Sequence, residues 1–290
     1  MVMTESIKDK AFQGAITFIL CILGIIALIP LLTVIARSFS SKAAADMNII
    51  NLWPVGFTLA SWKYILSDPG LWKAFFISLS TTIIGTVLAL TVTSLMAYPL
   101  SKSNFKLGQI LMLYVIMTMI FKAPVVPYFL TVKGMGLFNN PLVLILPHIL
   151  SAYNLAIMRT FFKQFPAEVE EAAMIDGCGY FQMLYKIVIP SSKAVLTTVG
   201  LFYAVTMWNQ FQHPIMFIQK TGLFPLQLKI RQLINGGSDF ANIAAVANVN
   251  YTESTLSAAT VVFAIIPIIA IYPWLQKYFA KGAMLGSVKG

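Results

Sequence analysis

The sequence is poor in acid. Of its 290 residues only ten are Asp or Glu, against 20 Lys and Arg, and charged residues make up 10% of the chain. A soluble domain carries about 25%. With 58% of residues apolar, this shortage excludes an ordinary water-soluble fold and points to an integral membrane protein. The net charge of +10 is never gathered into a run of five basic residues, so nucleic-acid binding is not expected. The charge is spread through short loops, where it fixes topology and meets anionic lipid. Cysteine is nearly absent: Cys21 lies in the first apolar run and Cys178 in a polar insert, a poor disulfide pair. The two histidines, His148 and His213, stand isolated in the sequence, short of the ligand set that a metal site needs.

What is present is a series of long apolar runs. A spanning helix needs about 20 apolar residues. The pattern predicts six spans, at 12–36, 75–99, 107–130, 141–162, 194–218 and 256–275. The first run is longer than the core of a typical leader peptide, so it reads as a span rather than a cleaved segment. Between the first two spans, Trp53, Trp62 and Trp72 suit a segment lying at the membrane surface. Pro124 and Pro127 break the third span. Ser and Thr in the second can bond back to their own helix or across to a neighbour. Six spans put both termini on one side. If that side is the cytoplasm it receives eleven of the 20 Lys and Arg, in short loops such as SKSNFK at 101–106, which favours N-in and C-in.

Between the fourth and fifth spans lies a polar insert, Glu168–Pro190, with four of the ten acids: Glu168, Glu170, Glu171 and Asp176. Pro166 suits a helix start. The acids crowd the first turns, where the helix dipole favours negative charge. Ala172 and Ala173 are small enough for another surface to come close. Gly177 and Gly179 are expected to end this helix. A second short helix would show one face through Phe181, Leu184, Tyr185 and Val188 and stop at Pro190. On physics alone the insert is either an amphipathic helix on the bilayer or a docking helix for a soluble partner.

The residues EEAAMIDGCGYFQMLYKIVIP resemble the EAA loop of bacterial ABC-importer permeases. Glu171, Ala172, Ala173, Asp176, Gly177, Ile187 and Pro190 match its spacing. MRTFFKQFP, WNQF at 208–211 and the tail QKYFAKGAMLGSVKG are similar to the carbohydrate-importer branch, of the maltose-permease type. The resemblance covers the chain from about Phe75 to the end. It implies an all-α integral membrane protein, a single importer transmembrane domain over 1–290. Six helices would carry a cytoplasmic coupling loop, 166–190, between the fourth and fifth.

It also implies partners: a second homologous permease, two cytoplasmic ATPases, an extracytoplasmic substrate-binding protein, an oligosaccharide and membrane lipid. The chain is then a transport subunit of a bacterial inner membrane, not an enzyme, with no cofactor of its own. It lacks the GxxxxGK[ST] phosphate loop, so ATP and Mg would sit on the partner ATPase. Glu168, Glu171, Ala172, Ala173, Asp176, Gly177, Ile187 and Pro190 would couple to that ATPase. The loop 219–254 would reach the binding protein, and the tail would touch the ATPases. Gln210 stands where this branch often has an acid, and His213 where an apolar or aromatic residue is usual.

Candidates for the substrate path are Lys122, Tyr153, Asn154, Trp208, Asn209, Gln210 and His213. Lys122 would lie roughly 22 Å along the third helix; it could snorkel to the interface, line a path for an anion, or pair with an acid of the partner permease. Tyr153 and Asn154 are read as interhelical hydrogen-bonders or ligands. The Trp208–His213 group is read as path lining or packing against the partner. No acid falls inside any of the six spans, which argues against a proton-coupled carrier. The basic balance, together with the similarity of YNLAIMRTFF and GSVKG to permeases for acidic polysaccharide fragments, favours an alginate-like oligosaccharide. An intramembrane enzyme or a passive channel are the alternatives from other classes.

Overall fold

Side-chain periodicity is weak in this chain because its helices are apolar all round, as expected where the solvent is lipid. Lipid leaves no backbone group room to go unpaired, so spans are helical throughout unless protein covers a break. The computed structural model describes residues 7–235 and 251–287, and the described residues form helices joined by turns. Gly236, Gly237 and Asp239 of the expected 219–254 loop lie outside the described residues, as do the last three residues of the tail.

The chain divides into two compact units. One runs to Pro69 and includes Ile230–Ile266. It opens with α1 (Ile7–Ser38), whose apolar stretch is exposed along most of its length and becomes buried only near its end, at Ala36 and Ser38. After it come α2 (Lys42–Asp46), capped by Ser41, and α3 (Ala60–Ser67). Phe39 stacks between Phe57 and Trp62, and the Trp62 indole donates to Ser38 Oγ. Trp53 is 81% exposed.

The second unit, Gly70–Lys229 with the residues from Pro267, carries the insert. Its first helix, α4 (Pro69–Ser101), starts six residues before the expected span because Pro69 occupies the first helical position; Trp72 therefore belongs to the helix, not to a surface segment. The third span is two helices, α5 (Gly108–Ile120) and α6 (Val125–Gly134), bent by 118°. Pro124 keeps the preceding residue out of the helical region, so α5 stops short of it. Pro127 sits in the first turn of α6 and breaks nothing.

The fourth span departs from a continuous helix. It begins as two short 3₁₀ helices, Pro141–Leu144 and Leu146–His148, and bends by 46° into α7 (Ala152–Lys163). Pro147 is the cause: its ring would meet the carbonyl of Val143 in an α-helix. The fifth also departs. After α8 (Ala167–Ile175) and the single turn α9 (Tyr180–Met183), a π segment, Leu184–Val188, runs into α10 (Ile189–Ser191). An 87° bend then opens α11 (Lys193–Trp208). The helix ends at Ser191, one residue past Pro190, where it was expected to stop. The wider π turn, closed by the Ile189 amide on the Leu184 carbonyl, lets the chain pass through the proline. Trp208 ends α11, ten residues before the expected end, and α12 (Gln212–Phe217) follows. Pro214 bars an unbroken helix because its ring would strike the Gln210 carbonyl. α13 (Leu226–Asn235) and α14 (Glu253–Ser287) complete the described helices. The last runs well past the expected sixth span.

Three cross-ties fix the second unit. Tyr203 of α11 bonds Thr93 of α4 at 2.7 Å and accepts the Ser151 amide at 2.9 Å, ahead of α7. At one end of the spans, Arg159 Nε donates to the Leu100 carbonyl at 2.7 Å and Tyr98 meets Phe162 edge-on. Elsewhere Asn139, with φ of 55°, accepts the amides of Gln219 and Lys220 on one oxygen, tying the turn after α6 to the segment after α12.

Tyr203→Phe should lower stability by about 1–3 kcal/mol, because it strands a half-buried amide and a buried hydroxyl. Thr93→Val should cost less, since Tyr203 keeps Ser151. Thermal unfolding of the purified protein in detergent checks the order.

Candidate functional site

The acidic insert is built by two local rules. Pro166 opens α8, and Gly177, with φ of 82°, closes it. The Gly177 amide reaches the Met174 carbonyl and the Cys178 amide the Ala173 carbonyl, a left-handed cap that glycine adopts cheaply. Gly179, with φ of −73°, is not left-handed; it precedes α9 in extended form, so one of the two expected helix-ending glycines does that work.

The cap leaves α8 with two distinct faces. Glu170 and Ala173, three residues apart, point inward and are buried. Glu170 pairs with Lys102, just beyond the end of α4, whose ammonium also lies 4.4 Å from the centre of the Tyr98 ring. Ala173 packs into the same core as Met158, Phe162, Met183 and Val188. Outward stand Glu168, Glu171, Ala172 and Asp176, all exposed. Beside them is Ile175, at 87% the barest large apolar side chain of the described residues. The second helix does not present the expected face. Leu184 and Val188 are buried, whereas Phe181 and Tyr185 are 71% and 68% exposed. The π turn sets these pairs on different sides. Ile187 is half-buried and Pro190 exposed. The insert thus offers one surface that mixes carboxylates with bare Ile175, Tyr180, Phe181 and Tyr185. Exposed apolar patches rimmed by polar groups mark interaction sites. Glu170 was not among the expected coupling residues; its burial rests on a partner 68 residues away, which spacing does not reveal.

A second candidate lies in the bend of the fourth span. A cleft of about 600 Å³ opens between the start of α7 and α11, lined by His148, Ser151, Tyr153, Asn154, Phe202, Tyr203 and Thr206 among others. Its size is that of a small-molecule site. Ser151 caps α7 through the Asn154 amide, which orients the first turn toward the opening. Tyr153 is 56% exposed and its ring leans on Phe202. None of the lining residues is acidic. An exposed aromatic face beside hydroxyls and an amide suits a polar ring with an apolar side, which is what a sugar presents.

The other path candidates do not gather at this cleft. Trp208 is buried edge-on against Phe75. Gln210, 7% exposed, donates to the carbonyls of Leu144 and Met207 and so pairs groups left at the helix breaks. Asn209 is exposed and bonds back to the Val205 carbonyl. His213 bonds Tyr128 at 2.7 Å and meets His148 with ring centres 4.4 Å apart. The two histidines are therefore neighbours, not isolated: the breaks at Pro147 and Pro214 fold them together. Lys122 sits exposed in the irregular segment between α5 and α6, not within a helix, so its expected helical depth does not apply. Among the described residues no three His, Cys, Asp or Glu gather as metal ligands would.

Comparison with known proteins bears on the whole chain. Protein LplC of Bacillus subtilis (strain 168) is 39% identical over 268 residues, 92% of this chain and 91% of its own. The polygalacturonan/rhamnogalacturonan transport system permease protein YtcP of the same organism is 37% identical over 98% of this chain and all of its own. Among solved structures, a bacterial ABC transporter involved in import of the acidic polysaccharide alginate aligns with a TM-score of 0.87 and 30% identity, over 95% of this chain and 99% of the matched chain. The sequence pattern of binding-protein-dependent transport system inner membrane components spans residues 89–284. On a pattern that covers well over half its length and relatives matched nearly end to end, the chain belongs to that family of multi-pass inner-membrane transport subunits.

Proposed function

We propose that this chain forms, with a second homologous permease, the membrane pathway of an importer for oligosaccharides, driven by ATP hydrolysis on two ATPase subunits. The observation that carries the coupling half is the two-faced insert: carboxylates and bare apolar side chains outward, Glu170 and Ala173 inward. A nine-residue helix is too short to be stable alone, so it moves with the spans that hold it. On this reading Glu168, Glu171, Ala172, Asp176 and the exposed aromatics meet the ATPase. Ala173, Gly177, Ile187 and Pro190 keep the surface in shape. ATP and Mg belong to the partner ATPase. The insert and both termini face the cytoplasm, and a substrate-binding protein delivers the sugar at the opposite face.

For the substrate, the cleft at Tyr153 and Asn154 supports the reading. Its lining carries hydroxyls, an amide, an imidazole and aromatic faces but no acid, and the spans of the second unit up to α12 contain no acid either. Such a path does not repel an anion. The permease YtcP is named for polygalacturonan and rhamnogalacturonan, and the structural relative imports alginate. Both are acidic polysaccharides, which supports a uronate oligosaccharide as cargo of this chain. On this reading Lys122, exposed between α5 and α6, attracts the anion from outside the cleft.

In the reconstituted complex, ATPase activity should rise with uronate oligosaccharides and respond weakly to neutral ones of equal length. A response to neutral sugars alone would overturn the acidic assignment, and uptake that persists without the ATPases would overturn the coupling. Tyr153→Ala should weaken apparent substrate affinity roughly tenfold, equivalent to about 1.4 kcal/mol of lost stacking, while basal hydrolysis stays unchanged. Uptake measured against sugar concentration reads this directly.

A further inference from the structure

The insert is held to the spans by two kinds of link. One is covalent, through the short stretch Gln164–Pro166 to α7 and, at the other end, through α9, the π segment and α10 to α11. The other is the Lys102–Glu170 ion pair, which reaches α4, an element that is no neighbour of α8 in sequence. The pair is largely shielded, with side-chain exposures of 18% and 10%. The Lys102 ammonium is shared between the carboxylate and the Tyr98 ring. Charge-assisted contacts of this kind are directional. The inward face of α8 otherwise offers the core a single methyl, that of Ala173, which cannot set the roll of a helix by itself. A turn of one residue, about 100°, would carry Glu171 inward and hide part of the outer surface.

From Lys102 the connection continues. Nine residues back along α4, about 13 Å, Thr93 bonds Tyr203, and Tyr203 holds the Ser151 amide. Tyr203 and Ser151 line the cleft. We infer that Lys102 and Glu170 form a clasp that fixes the roll of α8 and passes its displacement to α4, and through Thr93 and Tyr203 to the cleft. Glu170 is a positioning residue here. It faces this chain's own spans and leaves contact with the ATPase to Glu168 and Glu171. The inference rests on the reading of α8 as the ATPase-facing helix.

The test uses the complete importer in proteoliposomes, with Glu170→Gln, Lys102→Gln and the exchanged pair Glu170→Lys with Lys102→Glu. Two quantities are read: ATPase retained on purification, and sugar taken up per ATP hydrolysed. The single variants should retain the ATPase and keep hydrolysing, with uptake per ATP down about tenfold, within the usual range of coupling between sites. The exchanged pair should recover most of it. Unchanged uptake per ATP in the single variants overturns the clasp. So does loss of the ATPase from Glu170→Gln, which would make Glu170 a direct contact, or a loss of folded protein that the exchange does not repair. Ala172→Trp on the outer face separates the two ideas: if the ATPase still binds it normally, α8 is not the docking helix and the functional reading itself falls.

Discussion

The constraint on which the second unit depends is that its prolines forbid straight helices where the surroundings forbid unpaired backbone. Pro124, Pro147 and Pro214 each break a span, and every break exposes carbonyls that lipid cannot satisfy. The breaks at Pro147 and Pro214 pack against protein, whereas residues 121–127 around Pro124 stand exposed. Gln210 spends its amide on the carbonyls of Leu144 and Met207. Asn139 gathers the amides of Gln219 and Lys220 after α12. Ser151 and Tyr203 close the bend before α7. Of these patches Ser151 and Tyr203 line the cleft, and the bends at Pro147 and Pro214 bring His148 and His213 into contact.

At the insert the logic is electrostatic instead. Four acids lie within nine residues, and the fold divides them: Glu170 is neutralised by Lys102 against the spans, while Glu168, Glu171 and Asp176 remain in solvent. A carboxylate left buried without a cation would be costly, so the inward position needs its lysine. Division of one acidic cluster into a structural and a solvent-facing set gives a short helix both an anchor and a working surface.

The membrane class, the first span and the insert were legible in the sequence, since scarcity of charge and length of apolar runs are sums over many residues. The start of α8 at Pro166 and its end at Gly177 were legible because both rest on one residue's backbone preferences. The kinks were legible only in part. Pro124 was read correctly as a break, but Pro147 and Pro214 carry the same signal within apolar stretches, where hydropathy hides it. The Lys102–Glu170 pair and the Thr93–Tyr203 bond join residues 68 and 110 apart; no periodicity reports such contacts. The face through Phe181, Leu184, Tyr185 and Val188 assumed 3.6 residues per turn, and the π segment breaks that assumption.

That π segment has a consequence for how the family can vary in length here. A π turn carries an extra residue over nearly the same rise as an α turn. Deleting one residue between Leu184 and Val188 would leave the insert almost as long as before, yet rotate everything upstream by about 100° relative to Ile189. Phe181 and Tyr185 would swing toward the core and Leu184 toward solvent. At this point in the chain, residue count is an angular setting rather than a measure of reach.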